Sequence, residues 1–104
     1  MAASRIDALR NMLAQNPNNS FARYGLAMEY RNRGELAQAV GELRVLIAAD
    51  PDYSAAYFHG GQMLERLEEI EEARQWYRRG IEVASRKGER HALDELNAAL
   101  DRLQ

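Results

Sequence analysis

Apolar positions recur along the chain at helical spacing and are interrupted by short polar breaks. Leu26, Ala27 and Tyr30 stand at i, i+1 and i+4, and Gly34-Glu35 follows them as punctuation. Leu36, Ala39, Val40, Leu43, Leu46 and Ile47 then repeat at i, i+3, i+4 and i+7, which predicts a second helix. Asp50-Pro51-Asp52 ends it, because the residue before a proline is pushed out of the helical region. The unit is helix, tight turn, helix, proline stop. Upstream, residues 5–15 carry Ile6, Leu9 and Leu13 at helical spacing ahead of Asn16-Pro17. Downstream, Leu93, Leu96, Leu100 and Leu103 form a stripe opposite Arg90, Asp94, Asp101 and Arg102, which predicts an amphipathic capping helix.

Sliding the sequence by 34 residues lays the pattern over itself. Pro17 lands on Pro51, Ser20 on Ser54, Tyr30 on Leu64, Leu36 on Ile70, Ala39 on Ala73, Leu43 on Tyr77 and Ile47 on Ile81. Residues 5–15 overlay the second helix of the first unit, so the chain opens with half a repeat. Two departures stand out. Glu68-Glu69 replaces Gly34-Glu35, which predicts a different backbone conformation in the second turn. Ser85 replaces the closing proline, so that helix is expected to run on towards Arg86 or Lys87, with Gly88 as its C-terminal cap.

The first unit reads Arg23-x2-Leu26-Ala27-x2-Tyr30, then Ala39-x3-Leu43, then Pro51. The second reads Tyr57-x2-Gly60-Gly61-x2-Leu64, then Ala73-x3-Tyr77, then Ser85. Over residues 20–87 this resembles the tetratricopeptide repeat of small bacterial-type proteins. The resemblance implies an all-α, right-handed helical-repeat stack of about six helices. A single domain, 1–104, would divide into a half-repeat helix (1–17), two units (20–53 and 54–87) and a capping helix (89–103). Repeat stacks bury their cores only between neighbours and need terminal elements with one polar face. Gly60-Gly61-Gln62 spells the tripeptide with which peptide-release factors hydrolyse an ester. That chemistry needs an exposed loop tip, whereas here the tripeptide falls mid-helix at the family's Leu-Gly pair. Gly61 is expected to fill the small-residue slot where the two helices of its unit approach.

The resemblance also implies a non-enzymatic protein-binding module, with the first helix of each unit lining a concave surface. Carried over by register, the outward positions are Phe21, Tyr24, Met28, Arg31 and Asn32, then Ala55, Phe58, Gln62, Glu65 and Arg66. Phe21, Tyr24 and Met28 form a stripe separate from the core line. It is either a groove for an apolar segment, with Arg31, Gln62 and Glu65 as a polar rim, or a patch covered by flanking helices. The occupant is a peptide or helix of another protein, or a second copy of the chain across a two-fold axis. A third reading stacks the chain on further repeats. The family's chaperone-binding type grips a C-terminal carboxylate with lysine and asparagine. The corresponding positions here hold Tyr24, Met28, Phe58 and Gln62, so that ligand is not expected.

Charge and composition narrow the rest. The net charge is −2, without the basic excess that counterion release on nucleic acid requires. Cysteine is absent, which excludes disulfides and thiolate zinc sites. The N-terminus has no signal-like apolar run, and no stretch approaches the roughly 20 residues of a membrane helix, so a cytoplasmic location is expected. Glu29 with Arg33 and Glu82 with Arg86 are i, i+4 pairs in the favourable order. His91 has Asp94 and Glu95 within reach on its helix, yet the two histidines lack any zinc-binding spacing. Trp76 is expected to pack in the core or against the capping helix. No nucleophile–base pair, phosphate loop or cofactor motif is found, and neither metal nor cofactor is expected.

Overall fold

Six helices run through residues 4–103, which are the residues the computed structural model describes. They are α1 (Arg5–Gln15), α2 (Ser20–Asn32), α3 (Leu36–Ala49), α4 (Ser54–Arg66), α5 (Ile70–Lys87) and α6 (Arg90–Arg102). No strand occurs among the described residues, and the fold is all-α. The chain divides into two units, one up to Asp50 and one from Pro51.

In the first unit, side chains cap the first two helices. Ser4 Oγ accepts from the Asp7 amide at 3.1 Å, and Asn19 Oδ1 accepts from the Ala22 amide at 3.0 Å. Ile6, Leu9 and Leu13 of α1 are buried, as are Ala22, Leu26, Ala27 and Tyr30 of α2. Ala39, Val40, Leu43, Leu46 and Ile47 complete the buried set on α3. Arg23 stands at the first position of the W-x2-L-G-x2-Y signature of the repeat that the sequence resembles, where that signature has tryptophan. Its Nη1 meets Glu42 Oε1 at 2.7 Å, tying α2 to α3, and its Nη2 donates to the Pro17 carbonyl at 3.1 Å.

The second unit builds the same position from different chemistry. Tyr57, one repeat on from Arg23, donates its hydroxyl to the Pro51 carbonyl at 2.7 Å. Its ring meets Trp76, one repeat on from Glu42, edge to face at 6.2 Å. An ion pair in one repeat is thus an aromatic pair in the other. Gly61 is required by space: a Cβ there would lie 2.3 Å from Cε1 of the fully buried Tyr77 ring. Gly80 of α5 serves a second close approach, since its Cβ would meet Tyr57 Cβ at 2.8 Å and Leu96 Cδ2 at 2.9 Å. That slot explains how α6 seats. Leu96 and Ala99 are buried, while Leu93, Leu100 and Leu103 of the expected stripe are only half-buried.

The turns correct one expectation. Glu68 does not bring a different backbone: its φ is 63°, against 79° at Gly34 and 72° at Gly88. All three helix ends close the same way. The amides of Gly34, Glu68 and Gly88 donate back to Arg31, Glu65 and Ser85. The next residues, Glu35, Glu69 and Glu89, donate to Tyr30, Leu64 and Ala84. This is the left-handed cap that satisfies the orphan carbonyls of a helix. A side chain in that conformation is strained by roughly 1 kcal/mol, a strain glycine escapes. Glu68→Gly is therefore expected to stabilise the protein by about 1 kcal/mol, read as a higher urea midpoint.

Two helix-surface residues find partners that spacing did not indicate. Glu29 pairs with Arg5 at 3.0 Å across α1 and α2. Arg86 makes a two-pronged contact with Asp52, 3.1 and 3.0 Å, and keeps a weaker charge interaction with Glu82, its expected partner. The planar guanidinium fork matches a carboxylate better than an i, i+4 approach allows. Hydrogen bonding to Arg86 holds the Asp52 carboxyl below the usual range.

Candidate functional site

Helix α2 carries the stripe of the first unit. Its inward line, Leu26, Ala27 and Tyr30, is buried, which turns Phe21, Tyr24 and Met28 to another face. Phe21 is 70% exposed, and Tyr24 and Met28 are half-buried. The three come together with Arg5, Gly25, Glu29 and Asn32 around a pocket of about 300 Å³. Gly25 lets α1 approach α2 here, since a Cβ there would press on Leu9 Cδ2 at 3.3 Å. The Arg5–Glu29 ion pair lies on the pocket wall, so its one cation and one anion neutralise each other. Arg31 is half-buried, with Nη2 3.5 Å from Asn32 Oδ1.

In the second unit, Phe58 on α4 is half-buried, its ring edge-on to His59 at 5.2 Å. Gln62 and Arg66 are exposed, and Ala55 is half-buried. Glu65, expected on a polar rim, is committed inside its own unit. It accepts from the Tyr77 hydroxyl and receives both Arg102 nitrogens, at 2.7 and 3.1 Å. Arg102 holds the Glu65 carboxyl below its usual range against the opposing effect of burial, and Tyr77 adds to the lowering. Burial, followed by Glu65, pushes the Tyr77 hydroxyl up.

The register of the repeat resemblance, together with helical spacing, indicated Phe21, Tyr24 and Met28 as a group. It gave no sign of Arg5, which arrives from another helix. Gly25 and Glu29, one and two turns along from Phe21, extend the same stripe and were legible in principle. Among the described residues no group of three or more His, Cys, Asp or Glu is arranged to hold a metal ion. His91 lies 3.4 Å from Glu95 on an exposed face. No helix among the described residues is long and apolar enough to cross a membrane.

The family model described as "Tetratricopeptide repeat" matches residues 6–60, more than half of the chain. The chain belongs to the tetratricopeptide-repeat family. A TPR repeat-containing protein of Pseudomonas aeruginosa is 30% identical over 98 residues, covering 94% of this chain and 93% of its own length. The crystal structure of a tetratricopeptide-repeat domain protein from Salinibacter ruber is 35% identical. It covers 82% of this chain and 94% of its own, with a TM-score of 0.78. The first TPR of Spaghetti (RPAP3), solved with the HSP90 peptide SRMEEVD, shares the fold at a TM-score of 0.81. It is 22% identical and covers 94% of this chain and 73% of its own. Protein interaction is the general business of this fold, and in this TPR chain Arg23 stands in for the family's tryptophan.

Proposed function

We propose that this TPR protein is a non-enzymatic, cytoplasmic interaction module that binds an apolar segment of a partner protein. On the first unit the binding face is Phe21, Tyr24 and Met28, with Arg31 at its edge. On the second unit, Phe58 and Gln62 offer a smaller contact of the same kind. The observation that carries the reading is Phe21, a large aromatic side chain 70% exposed at the mouth of an apolar pocket. Large aromatic anchors beside pockets are the usual hot spots of binding. A TPR solved with a bound peptide supports the class of function. The ligand chemistry proposed here differs from a terminal carboxylate, because tyrosine, methionine, phenylalanine and glutamine occupy the positions where a lysine–asparagine clamp would be needed. Glu65 is left out of the proposed contact because its carboxylate already holds Tyr77 and Arg102.

The test is a display selection for peptides that bind the protein, followed by affinity measurements by fluorescence anisotropy. Selected peptides should carry aliphatic or aromatic anchors and lose about 30-fold in affinity for Phe21→Glu or Tyr24→Glu, the loss of one hot spot of about 2 kcal/mol. The helical circular dichroism of Phe21→Glu should be unchanged, because an exposed side chain adds little to stability. Peptides that bind Phe21→Glu and Tyr24→Glu as well as wild type would move the site off this face.

A further inference from the structure

Helix α6 is held more thinly than the helix it runs beside. Two of its thirteen residues, Leu96 and Ala99, are buried, against seven of thirteen on α4. The rest of its hold is polar and sits at its two ends. At the start, Ser54 Oγ of α4 donates to Glu89 Oε1 at 2.6 Å. At the finish, Arg102 forks onto Glu65 of α4 at 2.7 and 3.1 Å, and Arg74 Nη2 of α5 donates to the Leu103 carbonyl at 2.8 Å. Ties at both ends with one apolar plug between them favour release of the whole helix over fraying from its tip. A free helix of this length is marginal in water, so release and unfolding of α6 are one step. The seat, by contrast, is built without α6. Glu65 is also held by the Tyr77 hydroxyl of α5, so a carboxylate that fits a guanidinium fork stays in place. The slot for a leucine stays too, since it is the missing Cβ of Gly80 beside Tyr57, whose hydroxyl is fixed on the Pro51 carbonyl.

We infer that α6 is a displaceable lid over a second binding site, and that this site takes an amphipathic helix with leucine, a small residue and arginine at i, i+3 and i+6. Leu96, Ala99 and Arg102 are the copy of that pattern carried by the chain itself. The site lies wholly within the second unit and does not rest on the reading of the α2 face.

The probe is a fluorescent synthetic peptide of residues 89–103, titrated with the full chain and followed by anisotropy. Binding to wild type should be weak, because the apparent affinity is scaled down by the fraction of molecules with α6 released. Arg102→Ala in the chain loosens the lid and should raise the apparent affinity about threefold. Leu96→Ala in the chain should raise it about 30-fold, and the same change in the peptide should lower it by a similar factor. Arg102 is more than half exposed, so its variant keeps the fold whatever Leu96→Ala does. Phe21→Glu should leave peptide binding unchanged, which separates this site from the α2 face. Native-state hydrogen exchange reads the lid directly. The Leu96 and Leu100 amides should exchange through a shared opening that Arg102→Ala speeds about threefold, while those of Tyr77 and Val83 hold their rates. A peptide that binds neither lid variant, or α6 amides that exchange only with global unfolding, overturns the inference.

Discussion

Gly61→Ala is expected to destabilise the second unit by about 2 kcal/mol, although alanine favours helix over glycine by about 1 kcal/mol. The new methyl would sit 2.3 Å from Cε1, 2.7 Å from Cζ and 2.8 Å from Cδ1 of Tyr77. A flexible side chain could swing away. Tyr77 cannot, because it is completely buried and its hydroxyl is held by Glu65. Overpacking of this kind typically costs about 1–3 kcal/mol, and here the ring would have to carry α5 with it. Gly41→Ala is the control within the same protein. It too lies inside a helix, but a Cβ there meets nothing within 4 Å. It should therefore show the helix preference alone and stabilise by up to about 1 kcal/mol. Urea unfolding of the two variants should move the midpoint in opposite directions. A stabilised Gly61→Ala would mean that the approach of α4 and α5 has slack.

Glu65→Ala is expected to cost about 2 kcal/mol at neutral pH and progressively less in acid. Its main effect is on Tyr77, whose buried hydroxyl loses its acceptor, a loss of roughly 1–3 kcal/mol. Arg102 lies more than half exposed and returns to water, so its share is small. The pH dependence follows from the direction of the shift. Arg102 and Tyr77 lower the folded pKa of Glu65 below its ordinary 4.5. A group lowered in this way contributes its stability above the unfolded value and loses it as pH falls through the folded one. Wild type and Glu65→Ala should therefore differ most above about pH 5, with the gap narrowing through pH 4 and below. At alkaline pH the raised Tyr77 acts in the opposite sense, and stability falls once unfolded tyrosine begins to ionise near 10. Thermal unfolding across that range checks both limbs.

Helix existence was legible because periodicity at 3.6 residues survives any detail of packing, and Gly34, Pro51 and Gly88 punctuate it. Gly61 was legible too, since the repeat register marks its position as small. Glu68 was not: the left-handed turn is imposed by the helices on either side, and glutamate carries no signal for it. Gly80 stands one repeat on from Leu46, so the same register predicted bulk where α6 needed a slot for Leu96. The long-range ion pair of Asp52 was not legible either, for a related reason. Asp52 and Arg86 are 34 residues apart, whereas the helical rule looks only one turn away. At the candidate site, the stripe on α2 could be read from spacing, but the arrival of Arg5 from α1 belongs to tertiary packing.

The ion pair in one repeat and the aromatic pair in the other make the two units distinguishable to a spectrometer. Trp76 is the single tryptophan and lies in the second unit, edge-on to Tyr57. Its emission reports the surroundings of the aromatic pair, while far-ultraviolet dichroism reports helix throughout the fold. The first unit, which ties the same two helix positions with Arg23 and Glu42, has no tryptophan signal of its own, so a tryptophan placed there would give each unit a separate optical reporter.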